Sequence, residues 1–170
     1  AIASGTLAAL GYADDHLSLS RRLRFGITLA TLAVSLWLLP IPDLHVGHIT
    51  LTSSWILFPL FLLASTWFLN LFNFMDGIDG IASLQTLTAF VGAALILLSQ
   101  GEHKWSYLLI ILTAPALGFL IWNFPPAKIF LGDSGSYYWG ALIALLAITT
   151  AASTQLNIWS WIILLGVFIA

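Results

Sequence analysis

Two aspartates and two asparagines recur at intervals of three residues near the middle of the chain: Asn70, Asn73, Asp76 and Asp79. On a helix, side chains three residues apart are neighbours, so these four would form one winding polar strip. Carboxylate and amide oxygens in such a strip can hold a divalent cation or contact a substrate phosphate. Because ionised groups are costly at the edge of a hydrocarbon layer, their presence in an apolar run favours a functional site over a simple polar helix end.

Two further polar motifs interrupt the apolar sequence. Asp14 and Asp15 are either solvated residues at a helix end or a metal ligand beside a proton acceptor, and both could act at one point only if the backbone there is irregular. Asp133 and Ser134 lie in a Gly- and Ser-rich segment that suits the N-cap of a following helix. The free N–H groups of that helix start would form an anion site, and Asp133 beside them is a candidate Mg²⁺ ligand.

The composition is that of an integral membrane protein. Hydrophobic residues make up 60% of the chain and charged residues 7%, whereas a soluble domain carries roughly 25% charge. The absence of cysteine excludes thiol catalysis and Cys-ligated metals. The sequence has no basic patch that would indicate a nucleic-acid partner.

The apolar runs predict an all-α polytopic bundle with about six spanning segments, preceded by a partial N-terminal helix. We expect spans at about 25–39, from about 53 to the 70–80 motif, and at about 81–99 and 105–122, with two more within 137–170 divided by a polar turn at 153–157. The chain does not begin with Met and ends in an apolar run, so we interpret it as the interior of a longer protein. Residues 1–170 would then form a single membrane-embedded domain.

Counting the predicted crossings places all three polar motifs on one side of the membrane. Four of the five basic residues are on that side as well, and the positive-inside bias identifies it as the cytoplasm. Arg21, Arg22 and Arg24 are most simply topology determinants, with phosphate binding as a second use. Lys128 lies between two acidic motifs and is a stronger candidate for binding, whereas His45 and His48 on the opposite side are interpreted as ordinary loop residues.

In their order along the chain, the three motifs resemble those of the polyprenyl-phosphate N-acetylhexosamine-1-phosphate transferases. That family includes phospho-N-acetylmuramoyl-pentapeptide transferase and the enzymes that initiate O-antigen synthesis. The matching segments are Gly-Tyr-Ala-Asp-Asp at 11–15, Asn-Leu-Phe-Asn-Phe-Met-Asp-Gly-Ile-Asp-Gly-Ile-Ala at 70–82, and Asn-Phe-Pro-Pro-Ala-Lys-Ile-Phe-Leu-Gly-Asp-Ser-Gly-Ser at 123–136.

The resemblance implies that undecaprenyl phosphate attacks the sugar-linked phosphorus of a UDP-N-acetylhexosamine and releases UMP, assisted by Mg²⁺ or Mn²⁺. The implied partners are these two substrates, the bilayer of the cell inner membrane and a second copy of the chain in a homodimer, with the site facing the cytoplasm. The implied roles are catalysis by Asp14, Asp15, Asp76 and Asp79, metal binding by Asp133 and Asp76, and substrate binding by Asn70, Asn73, Asn123, Lys128 and Ser134.

The segment Leu-Ser-Leu-Ser-Arg-Arg-Leu-Arg at 17–24 favours the branch that initiates O-antigen or related polysaccharides over the pentapeptide branch. The pentapeptide transferase of peptidoglycan synthesis stays the alternative within the family. Two readings of other classes are an ion-coupled transporter, whose polar groups would lie near the bilayer midplane, and a scaffold whose acids only fix loops.

Overall fold

The computed structural model describes residues 2–166, which form helices joined by short connections and one small β-hairpin. The all-α prediction is therefore confirmed for the described part of the chain. The helices are α1 (Ile2–Leu17), α2 (Arg21–Leu38), α3 (Ser54–Met75), α4 (Ile81–Ser99), α5 (His103–Asn123), α6 (Gly132–Ser153) and α7 (Ile158–Leu164), and the strands are β1 (Leu44–Val46) and β2 (Ile49–Leu51).

Four of the described helices, α3 to α6, are long and apolar enough to cross a membrane. Helix α2 has 18 residues but carries three arginines in its first turns. Helix α7 ends at Leu164, and residues 167–170 of the last predicted span lie outside the described part of the chain. The predicted division of 137–170 near residues 153–157 is correct, whereas the count of six spans is not established.

The polar link after α2 is a β-hairpin rather than an irregular loop. His45 on β1 pairs with Thr50 on β2, and the reversal includes Gly47, which has a φ of 58°. Glycine suits this left-handed conformation because it has no Cβ. His45 and His48 therefore do not share a helix face, which their spacing of three would have allowed.

Helix α6 is the centre of the bundle. About 67% of its most apolar stretch of 18 residues is buried, against 17% for α5, and it packs against both α1 and α3. Close packing on α3 depends on Gly140, where an added Cβ would stand 3.3 Å from the Cα of Leu69. Small residues commonly allow membrane helices to approach in this way. The start of α6 is thus held between the ends of its two neighbours.

The two ends of the bundle differ in character. At the end that we call the acidic end, α1, α3 and α5 finish and α2, α4 and α6 begin, so the three polar motifs meet there. At the other end, called the hairpin end, the β-hairpin contacts the first turn of α7. The indole N–H of Trp159 donates to the carbonyl of His45 there, at 2.7 Å.

Candidate active site

The two adjacent aspartates of α1 have different surroundings. The helix continues to Leu17, so the backbone at Asp14 and Asp15 is regular and their side chains diverge. Asp14 is buried, accepts a hydrogen bond from the Leu19 N–H at 3.0 Å and forms an ion pair with Arg24. Burial raises the pKa of Asp14, but the hydrogen bond from Arg24 lowers it, and the net result is a pKa below the usual value. Asp15 is exposed and faces α6.

The carboxylate of Asp15 lies against the first turn of α6. The backbone N–H groups of Asp133 and Ser134 are directed at its two oxygens, at 3.3 and 3.5 Å. Gly132 begins the helix with a φ of 67°, and a Cβ there would stand 3.1 Å from Asp15 Oδ2. Asp133 is therefore in the first helical turn, not at the N-cap. The free N–H groups of this helix start were predicted to form an anion site for a ligand, and in this structure they face the carboxylate of Asp15.

Gly11 makes this contact between α1 and α6 possible. A Cβ at this position would overlap the carbonyl of Asp133 and stand 2.6 Å from the Ser134 nitrogen. The Ser134 hydroxyl adds a hydrogen bond to the carbonyl of Ala8 at 3.0 Å. The hydroxyl of Ser134, which was predicted to bind substrate, thus donates its hydrogen bond to the backbone of α1. Gly11 belongs to the first motif, but no sequence pattern indicated its role in this contact.

Asp133 is the point at which three other helices meet α6. Asn73 of α3 donates from Nδ2 to Asp133 Oδ1 at 2.7 Å and to the Ser136 hydroxyl at 2.8 Å. The guanidinium of Arg24 from α2 lies 3.6 Å from Asp133 Oδ2. Asp14 and Asp15 of α1 also lie close to Asp133, so one amide, one cation and two carboxyl groups surround it.

Asp76 lies next to this group, at the end of α3. Its backbone N–H caps the helix by donating to Phe72 O at 3.2 Å, and its side chain is half-buried. Burial, followed by the negative charge of Asp133, raises the pKa of Asp76 to about 7. The two predicted metal ligands are therefore close enough for each charge to oppose the other.

The polar strip does not continue as a helix to Asp79. Helix α3 ends at Met75, and the chain turns through Gly80, which has a φ of 78°. Asp79 Oδ2 accepts a hydrogen bond from the Ala127 N–H at 2.9 Å. Through this contact Asp79 holds the 124–131 loop, which precedes α6.

Asn123 holds the same loop from its other side. This side chain is 4% exposed, and its Oδ1 accepts from the Gly80 N–H while its Nδ2 donates to Ile129 O, both at 2.9 Å. Because both ends of the amide bond the backbone, Asn123 positions the loop. Lys128 is exposed on that loop, with its ammonium 5.6 Å from the centre of the Trp122 ring.

Asn70 is not brought to this group by any contact within residues 2–166. It is exposed, and its Nδ2 donates to Thr66 O at 2.7 Å within α3. Of the four residues in the predicted strip, Asn73 and Asp76 lie at Asp133, Asp79 lies at the neighbouring loop, and Asn70 lies apart.

Comparison with known sequences identifies the family. The sequence model of glycosyl transferase family 4 matches residues 1–151, which include all three motifs. The chain belongs to glycosyl transferase family 4. The resemblance inferred from the motifs is thereby confirmed, and the transporter and scaffold readings lose their main support.

Curated relatives come from two branches of glycosyl transferase family 4. "Probable undecaprenyl-phosphate N-acetylglucosaminyl 1-phosphate transferase" of Bacillus subtilis (strain 168) is 34% identical over 146 residues, covering 84% of this chain and 40% of the relative. Phospho-N-acetylmuramoyl-pentapeptide-transferase of Gluconobacter oxydans (strain 621H) is 31% identical over 203 residues, covering 99% and 54%. The same enzyme of Synechococcus sp. (strain WH7803) is 34% identical over 190 residues, covering 100% and 50%. The chain spans about half the length of these relatives.

The residues around Asp133 fit a hard divalent cation. Mg²⁺ prefers oxygen ligands and is commonly held by one or two carboxylates together with substrate phosphates. Asp76 and Asp133 supply two such carboxylates, and a cation between them would offset both the burial and the repulsion that raise the pKa of Asp76. Within residues 2–166, no three His, Cys, Asp or Glu side chains form a group that could hold a metal. Further ligands would have to come from substrate or water.

Proposed function

We propose that the full-length protein transfers an N-acetylhexosamine-1-phosphate from a UDP-sugar to undecaprenyl phosphate. An oxygen of the lipid phosphate attacks the sugar-linked phosphorus, the bond from that phosphorus to the bridging oxygen breaks, and UMP leaves. The observation that carries the proposal is the meeting of Asp15, Arg24 and Asn73 from three helices at Asp133. Family membership supports the same reaction class.

The two aspartates of α1 have different roles in this proposal. Asp14 is buried and paired with Arg24, so we assign it the role of holding that guanidinium at the site. Asp15 is exposed and fixed by the first turn of α6, so it is the better placed of the two to accept the lipid phosphate's second proton. Phosphoryl transfer depends mainly on positioning and charge neutralisation, which suits this arrangement.

Asp76 and Asp133 would hold Mg²⁺, which supplies positive charge to the diphosphate when it is bound. Asn73 orients Asp133 by bonding one of its oxygens. Asp79 and Asn123 fix the loop that carries Lys128, so that its ammonium can turn from Trp122 toward a nucleotide phosphate. We place the site at the cytoplasmic face of the inner membrane, where nucleotide sugars occur, and the homodimer stays a prediction.

The pathway is a finer proposal with two candidates. The 17–24 segment and the Bacillus subtilis relative favour initiation of O-antigen or a related envelope polysaccharide. The Gluconobacter oxydans and Synechococcus relatives favour the pentapeptide transferase reaction of peptidoglycan synthesis. The donor sugar distinguishes them.

The decisive experiment incubates the full-length protein with undecaprenyl phosphate, Mg²⁺ and, separately, each UDP-N-acetylhexosamine and UDP-N-acetylmuramoyl-pentapeptide. Release of UMP together with a lipid-linked sugar diphosphate from one donor would establish both reaction and branch. A folded protein that releases no UMP from any donor, but carries labelled solute into vesicles, would replace the proposal with the transporter reading.

A further inference from the structure

A cavity of about 390 Å³ lies at the hairpin end of the bundle, away from the acidic residues of the candidate active site. Its walls come from residues 41–45, the last turn of α6 and residues 154–159. The 2.7 Å hydrogen bond from Trp159 Nε1 to His45 O joins the first and third of these walls. The cavity is therefore a formed part of the structure, built from segments more than 100 residues apart, as the separation of 114 between those two residues records.

The end of α6 gives the cavity a negative character. Thr150 O accepts hydrogen bonds from both the N–H and the hydroxyl of Thr154, at 2.9 and 2.8 Å. The next two carbonyls belong to the cavity residues Ala151 and Ala152, and they have no hydrogen-bond donor among the described residues. Unpaired carbonyls at the end of a long helix carry its negative partial charge and attract cations.

Asp43 adds a full negative charge to the same cavity. Its side chain is exposed, and it has neither a hydrogen bond nor an ion pair within residues 2–166, where both ion pairs involve Arg24. The cavity lining contains no Lys or Arg. Trp159 also lines the cavity and is 40% exposed, and its indole N–H is already bonded to His45 O. The carboxylate and the free carbonyls at the end of α6 are both groups that favour a cation.

The size of the cavity and its ligand groups select an organic cation. A metal ion needs several oxygens close together, and the described residues contain no group of three His, Cys, Asp or Glu that could hold one. An anion is disfavoured by Asp43 and the end of α6. We propose that this cavity binds the ammonium group of a small primary amine, with Asp43 as counter-ion and the last carbonyls of α6 as hydrogen-bond acceptors.

Such an ammonium group has two sources, the ethanolamine headgroup of a membrane phospholipid and a soluble amine. Both present the same R–NH₃⁺ to the cavity, and an interfacial Trp near a bilayer surface suits the lipid source. The proposal concerns the opposite end of the bundle from the transferase site and does not depend on the proposed function.

The test uses the full-length protein in detergent and measures binding of ethanolamine by calorimetry. We expect ethanolamine to bind and choline to bind more weakly, because a quaternary ammonium has no N–H to donate to the carbonyls. Native mass spectrometry with phosphatidylethanolamine and phosphatidylglycerol then separates the sources. Selective retention of phosphatidylethanolamine supports the lipid source, and ethanolamine binding without lipid selectivity supports the soluble one.

Asp43→Asn should weaken ethanolamine binding by at least about tenfold, because it removes a charge-assisted hydrogen bond. Glu102→Gln is the matched control, since Glu102 precedes α5 at the hairpin end but lies outside the cavity. The proposal is overturned if wild type binds no ethanolamine, if both variants bind equally, or if Ca²⁺ alone saturates the site and excludes the amine. None of these results uses UMP release, so they leave the transferase proposal untouched.

Discussion

The amide of Asn73 on α3 donates to the carboxylate of Asp133 on α6 at 2.7 Å, across 60 residues of sequence. The same nitrogen also bonds the Ser136 hydroxyl, so it fixes both the side chain of Asp133 and the turn that follows. Asn73→Ala should therefore lower kcat by about tenfold to a hundredfold, as expected when a hydrogen bond to a charged group is lost. Turnover of UDP-sugar to UMP by the purified full-length variant measures this.

Asn70→Ala is the matched control for that prediction. Asn70 lies about one helical turn from Asn73 on α3, and the control replaces the same residue type by alanine. The amide of Asn70, however, donates only to Thr66 O in its own helix. We expect kcat and KM close to wild type. A loss at Asn70 as large as the loss at Asn73 would mean that both asparagines contact substrate, as the motif resemblance implies, and that orientation of Asp133 is not the main effect.

Asp76 should make the folded protein less stable as pH rises. Its pKa is raised from 3.8 to about 7, so between these values the folded protein keeps a proton that the unfolded chain releases. The free energy of unfolding then falls as pH rises through this window. Asp76→Asn removes the effect, so its melting temperature should match wild type near pH 4 and exceed it at pH 8, while transferase activity is lost.

Thermal unfolding of the detergent-solubilised protein across this pH range measures the effect. Added Mg²⁺ should stabilise wild type at pH 8 and have less effect on the Asp76→Asn variant, because a cation between the two carboxylates offsets both the burial of the Asp76 charge and its repulsion by Asp133. A variant that melts below wild type at pH 8 would contradict the assignment of Asp76 as a strained, ion-binding carboxyl.

Substitutions of Asp79 test whether this residue acts by positioning the 124–131 loop or through its negative charge. Its Oδ2 accepts a hydrogen bond from the Ala127 N–H, and an asparagine can still accept this bond through its oxygen. We expect Asp79→Asn to retain much of the activity and Asp79→Ala to lose it, because only alanine releases the 124–131 loop. Equal and severe losses in UMP release would instead show that the charge of Asp79 acts on the nucleotide or the metal.

The sequence predicted the helices well and the contacts between them only in part. Apolar runs and a polar turn were enough to place α3 to α6 and the break before α7, because spanning length and hydropathy depend on local composition. The β-hairpin was missed, since three-residue strands carry little periodic signal. The sequence predicted that the end of α1 and the start of α6 lie on the same side of the membrane, but not that they are in contact.

Arg24 shows why the rest could not be read from the chain alone. Arg21, Arg22 and Arg24 have the same residue type within four positions, yet Arg24 alone forms ion pairs within residues 2–166. That choice depends on the turn between α1 and α2, where Ser18 has a φ of 49° and Ser20 caps α2. The orientation of α2 after this turn decides which arginine reaches the acidic residues, and no pattern of residue types in the sequence predicts that orientation.

Gly11 and Gly5 form a matched pair on α1. Gly11→Ala adds a Cβ that overlaps the Asp133 carbonyl, so it should displace the first turn of α6, abolish most activity and destabilise the protein by roughly 1–3 kcal/mol. Gly5→Ala meets nothing within 4 Å and should stabilise the helix by about 0.5–1 kcal/mol with activity kept. Melting temperature and UMP release of the two variants, measured side by side, check both. An active Gly11→Ala enzyme would show that α1 need not touch α6.

Arg24→Gln tests whether one arginine serves the site while its neighbours serve the membrane. The substitution leaves buried Asp14 without its cation and removes positive charge beside Asp133, so kcat/KM for undecaprenyl phosphate should fall by about tenfold or more. Without Arg24 the pKa of Asp14 should also rise, because the largest of the interactions that offset its burial is lost. Arg24→Lys, which keeps the charge but not the guanidinium geometry, should recover part of the loss.

Arg21→Gln is the control, since Arg21 is exposed and makes no side-chain contact with the acidic residues of the described chain. If both glutamine variants lose activity equally, the arginines act together on the lipid surface, and the ion pairs of Arg24 are not what the reaction needs.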